Sequence, residues 1–132
     1  MKSGFIVSAV AVGLLITVPL VAHHGGAAFD TGKKVILKGT VNQWVYSNPH
    51  CFLVLEVKGE DGQVVRWITE GQAPNVIFPA GYRVDSFKPG DQVTITVEPV
   101  KDARPMGRIL QAVLADGRTL GIASSAGAAP PR

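Results

Sequence analysis

Cysteine is almost absent from this 132-residue chain. The single thiol, Cys51, has no partner with which to close an internal disulfide, so the fold must be held by a packed core. Charge is sparse as well: Asp, Glu, Lys and Arg make up 17% of the residues, and 13 basic against 10 acidic leave a formal +3. Lys33, Lys34, Lys38, Arg66, Arg83, Arg104 and Arg108 are scattered among acids. A surplus so small and so dispersed offers no basic stripe for a phosphate backbone, and no nucleic-acid partner is expected. Missing too are G-x-G-x-x-G, the P-loop, G-x-S-x-G, H-E-x-x-H and any pair of cysteines. Dinucleotide binding, nucleoside-triphosphate hydrolysis, hydrolase-elbow and zincin chemistry therefore lack their local signatures. No catalytic residue is assigned, and the balance is against an enzyme.

Gly and Pro are plentiful by contrast, 15 and 9 residues, and the chain is 46% hydrophobic. Frequent turns exclude long helices and favour short strands in one domain. Residues 1–22 read as a signal peptide: a basic start at Lys2, an apolar stretch from Phe5 to Val18, then Pro19-Leu20-Val21-Ala22. Cleavage after Ala22 is expected, which makes the protein periplasmic or secreted, with no stable membrane insertion once cut. The alternative is an uncleaved anchor, because Gly4 to Ala22 carries no charge and approaches the roughly 20 residues that span a bilayer. Residues 23–32 are a short N-terminal segment, 33–123 the folded domain and 124–132 a disordered tail, small in its side chains and rich in Pro.

Within the domain, Lys33 to Tyr46 alternates as a strand with Val35, Leu37, Gly39 and Val41 on one face. Trp44 and Tyr46 fall on the other parity, which predicts a bulge near Asn42 or Gln43. His50 to Lys58 is the second strand, with Cys51, Leu53, Leu55 and Val57 inward, and Cys51 is expected to be a small core residue. Gly59-Glu60-Asp61-Gly62 turns the chain into a third strand, Gln63 to Glu70. A short helix opens at Pro74 and is stopped by Pro79. Gln92 to Val97, Arg108 to Ala115 and Arg118 to Ile122 complete the strands. The order predicts a mainly β fold, a small five- to six-stranded OB-like barrel with one short helix between strands three and four. A β-sandwich is the alternative architecture.

Three histidines carry the functional reading. Cleavage after Ala22 makes His23 the first residue, so its α-amine and ring nitrogen are both available to a metal, with His24 next and His50 at the start of strand two. An amine and imidazoles suit divalent copper. Cleavage after Val21 instead leaves Ala22-His23-His24, a second copper-chelating arrangement. Glu70, at the exit of strand three, is placed as an outer-shell partner to an imidazole. Trp44, Tyr46, Phe52 and Trp67 are candidates for a binding face, although a domain this small needs most of them in its core.

Ala22-His23-His24, Phe29-Asp30, Gly39-Thr40-Val41, Asn48-Pro49-His50, Trp67 with Glu70-Gly71, Pro74-Asn75, Gly81, Asp85-Ser86, Lys88-Pro89-Gly90-Asp91 and Ala115-Asp116-Gly117-Arg118 follow one another along the chain. In that set the chain resembles a family of small exported bacterial proteins of unknown function, domain-of-unknown-function family six-one-five-two. The resemblance implies a signal peptide, a small β domain and no established activity. Its positions most suggestive of ligation correspond to His23, His24 and His50, and Gly25-Gly26 stands where members usually carry Ser. The expected function is metal binding, copper favoured, in storage, delivery or sensing. The alternative is a non-catalytic scaffold whose partner is a cell-envelope protein or small ligand.

Overall fold

Strand β1 (Val35–Val45) is long enough to serve two neighbours. Its first half pairs antiparallel with β4 (Gln92–Pro99), from Val35 opposite Val97 to Thr40 opposite Gln92. Its second half pairs with β2 (Phe52–Lys58). The bulge expected near Asn42 is present: Val41 faces Leu55 and Gln43 faces Val54, leaving Asn42 without an opposite residue. That extra residue bends the strand and increases its twist, which lets one strand pass from one part of a curved sheet to another.

The computed structural model describes residues 26–121. The expected signal peptide 1–22, His23, His24 and the tail 124–132 lie outside the described residues. β3 (Val64–Glu70) lies antiparallel to β2, and β5 (Met106–Val113) antiparallel to β4. A short parallel pairing of Ile68, Thr69 and Glu70 with Met106, Gly107 and Arg108 joins β3 to β5 and closes a five-stranded barrel. β6 (Thr119–Gly121) is an extra strand on β5. The helix α1 (Pro74–Ile77) lies between β3 and β4, with Pro in its first turn, where a missing N–H costs nothing. A 3-10 turn, Phe78–Ala80, extends it to Gly81, whose φ of 100° suits a residue without a Cβ.

The core follows the alternation read from the sequence. Leu37 and Val41 from β1, Cys51, Leu53 and Leu55 from β2 and its approach, and Val93, Ile95 and Val97 from β4 are buried together. Ile77 from α1, with Tyr82 and Phe87 from the segment after it, joins the same cluster. Strand bounds shift by a residue or two from those expected, and two of the starts have a visible cause. Strand two starts at Phe52, because His50 and Cys51 belong to the approach, although Cys51 still points inward. Strand five starts at Met106, two residues early, because Gly107 has no side chain to register in an alternation count. Of the four aromatics, Trp44, Tyr46 and Trp67 pack against the core while Phe52 is half-buried beside Val45 and Glu70.

Close packing at the closure makes Gly107 sensitive. A Cβ there would stand 2.8 Å from Val97 Cγ2 and 2.9 Å from the Glu98 carbonyl oxygen. Gly107→Ala is expected to cost about 1–3 kcal/mol in denaturant unfolding, as overpacking does. Tyr82 is the opposite case: its hydroxyl is buried without a hydrogen-bond partner among the described residues, and burial pushes its pKa well above the ordinary 10. The folded state holds the phenol neutral, so the unfolded chain loses its proton first and stability falls as pH rises above about 10. Tyr82→Phe is expected to flatten that alkaline loss and, at neutral pH, to leave stability unchanged or raise it by up to about 1–3 kcal/mol.

Candidate metal centre

His50 follows a cis Asn48–Pro49 bond and leads into β2. The backbone just beyond it is tied to the end of β3: Gly71 N–H donates to the Cys51 carbonyl at 2.8 Å and Cys51 N–H to the Gln72 carbonyl at 3.3 Å. Those bonds fix the ring against Glu70. His50 Nδ1 stands 3.0 Å from Glu70 Oε1 and 3.3 Å from the Gly71 carbonyl oxygen. Both neighbours only accept, so Nδ1 carries the proton and donates to them. In the neutral ring this leaves the lone pair on Nε2. No described residue partners Nε2, and the His50 side chain is 43% exposed while Glu70 is 16% exposed.

Glu70 lies in a row that crosses the outer wall of the barrel. Thr69, Ile109 and Val97 face inward and are buried, so their neighbours Glu70, Arg108 and Glu98 face outward. Arg108 is opposite Glu70 across the β3–β5 pairing and opposite Glu98 across the β4–β5 pairing. Its guanidinium donates through Nε and Nη2 to Glu98 Oε2. Over that guanidinium, 5.0 Å from its carbon, lies the ring of Phe29. Phe29 forms a β-bridge with Val100, Asp30 N–H donates to the Pro99 carbonyl at 2.8 Å, and Lys101 N–H to that of Ala28 at 3.0 Å. The first described residues are thereby fastened to the end of β4, with β5 lying between that strand and Glu70.

Of the expected site residues, the structure brings His50 and Glu70 into contact, and His23 and His24 lie outside the described residues. Among the described residues, no three His, Cys, Asp or Glu side chains cluster as a complete metal site. The Phe29–Arg108–Glu98 stack was not legible in the sequence, because Phe29 reaches Arg108 from a distant part of the chain and the contact carries no local pattern. Cys51, although adjacent to His50, faces the interior: it is fully buried, its thiol approaches the Ser47 carbonyl at 3.8 Å, and burial pushes its pKa up.

Comparison with known proteins adds a family and one structural likeness. A family model described as a family of unknown function, DUF6152, matches residues 12–109. No curated protein matches. A solved mitochondrial single-stranded DNA binding protein from S. cerevisiae, Rim1, is similar with a TM-score of 0.46 and 13% identity, over 62% of this chain and 92% of that one.

Cys51 is expected to resist thiol-modifying reagents in the folded protein and to react in denaturant, since a buried thiol with a raised pKa offers little thiolate. Labelling followed by intact mass checks this; rapid modification under native conditions would place the thiol at the surface.

Proposed function

The chain belongs to the family of unknown function DUF6152, and from its own residues we propose that it is an exported binding protein for divalent copper, held by His50 together with His23 and His24. The observation that carries this is the state of the His50 ring. Glu70 and the Gly71 carbonyl occupy Nδ1, so Nε2 is the nitrogen left to donate to a metal. A carboxylate on the far nitrogen of a ligating His fixes its tautomer, aims its lone pair and raises its basicity.

One imidazole is too little for tight binding, and the described residues supply no further ligands around it. The remaining donors come from His23 and His24. With a signal peptide removed after Ala22, the α-amine and ring of His23 form a nitrogen chelate, and nitrogen donors favour copper in its divalent state. The distance to be covered is short. His23 precedes Phe29 by six residues, which span up to about 20 Å when extended. Phe29 packs on Arg108, and Arg108 is one strand, roughly 4.8 Å, from Glu70. The role this reading gives the protein is storage, delivery or sensing of the ion.

Titration of divalent copper into the protein as its host processes it, with the first residue read by intact mass, tests the proposal. The wild type is expected to bind one equivalent tightly, and His50→Ala to fall to the affinity of a free His-His peptide. Glu70→Gln should weaken binding by roughly 10- to 100-fold, as loss of an outer-shell partner does. Equal affinities in wild type and His50→Ala would show that the leading peptide binds alone, and would favour a scaffold role in the cell envelope.

A further inference from the structure

The solvent side of a sheet ordinarily carries polar side chains, and one stretch of this barrel departs from that. Leu53, Leu55 and Thr69 are buried, so Phe52, Val54 and Glu56 of β2 and Arg66, Ile68 and Glu70 of β3 face outward. Register sets them in rows. Gln43, Val54, Ile68 and Met106 lie side by side across four strands, and Val45, Phe52 and Glu70 form the next row. Val45, Phe52, Val54 and Met106 are half-buried, and Ile68 is 38% exposed. The outer wall therefore carries an apolar strip with polar ends. At one end Arg66 pairs with Glu56 at 3.8 Å, and at the other Glu70 is turned to His50.

We infer that this strip is a docking face for a second copy of the chain, packed face to face about a two-fold axis that runs along the wall between β2 and β3. A two-fold interface sets a surface against itself, so the face has to be complementary to itself. About that axis each outward residue of β2 meets, in the second copy, the β3 residue that is its own cross-strand neighbour. Val54 meets Ile68 of the second copy, and Glu56 meets Arg66 of the second copy. Apolar falls on apolar and acid on base, each twice over. Phe52 meets Glu70 of the second copy, but that acid is 16% exposed and directed to His50, so little of its charge reaches the face. A polyanion is a poorer match, because both cations beside the strip already carry an acid: Arg66 has Glu56 and Arg108 has Glu98. A barrel wall is convex across its strands, so contact is confined to the strip and the dimer is a weak one. The inference requires no metal at His50 and stands apart from the copper-binding role proposed above.

Sedimentation of the protein as its host processes it, over a concentration series and with a chelator present so that metal bridging contributes nothing, tests the inference. The wild type is expected to pass from monomer to dimer below about 1 mM. Ile68→Asp should weaken the dimer about tenfold or more, as loss of a buried apolar anchor does. Arg66→Glu, which sets acid against acid across the axis, should weaken it as well, and adding Glu56→Arg should restore it, because the swapped pair is complementary again. Ile36→Asp serves as the control: Ile36 is 65% exposed and lies beside Thr96 of β4, away from the strip, so the dimer is expected to persist. Thermal unfolding confirms that each variant is folded. A wild type that stays monomeric throughout overturns the inference, and so does a dimer that Ile68→Asp leaves intact or that Ile36→Asp weakens equally. Should Ile68→Asp not fold, Ile68→Thr, which keeps the branched shape and shortens the apolar end, takes its place with the same two outcomes.

Discussion

Three residue pairs close this barrel. Ile68, Thr69 and Glu70 meet Met106, Gly107 and Arg108 in parallel, and every other strand pairing is antiparallel. Parallel strands need a long crossover, and here it consists of α1, the segment around Tyr82 and Phe87, and β4. The junction demands close approach, which is why a glycine stands at its centre against Val97. It also determines what sits on the outer wall. Glu70 and Arg108 become neighbours only because β3 and β5 meet there, so the acid that orients His50 and the arginine that holds Phe29 share one origin in the closure.

Much of the fold was legible because its causes are local. Alternating Val, Leu and Ile residues disclose buried strand faces, the parity change after Val41 discloses the bulge, and Asp61-Gly62 marks the turn at which Gly62 takes a φ of 78°. Helix placement followed from Pro74 and Pro79. The contact between His50 and Glu70 was within reach of sequence reasoning for a similar reason: the two lie at facing ends of a β2–β3 hairpin, whose register is fixed once the turn is known. What escaped was everything carried by distant partners. Arg108 reads as one more dispersed cation, and its pairing with Glu98 depends on a second register shift, between Thr96 and Val97 in β4.

The bulge at Asn42 and the proton on His50 Nδ1 are connected. By turning β1 from β4 to β2, the extra residue carries the outgoing chain over the end of the barrel, where Trp44 packs edge-on against Phe87 at 4.9 Å and donates its indole N–H to the Arg83 carbonyl at 3.0 Å. That capped end fixes the departure of the loop from Tyr46 to Cys51, and the loop delivers the imidazole to Glu70.

The sixth strand has a separate significance. β5 gives one edge to β4 along its length and shares the other between β3, at Met106 to Arg108, and β6, at Gln111 to Val113. A five-stranded barrel without β6 would leave the far half of that edge bare, and bare edges are templates for pairing between chains. The corresponding stretch of β3, Val64 to Trp67, has no neighbour on its β5 side among the described residues, and Val64 and Val65 are exposed there. Arg66 stands in the middle of it, a charged side chain of the kind that natural sheets place on an open edge to discourage aggregation.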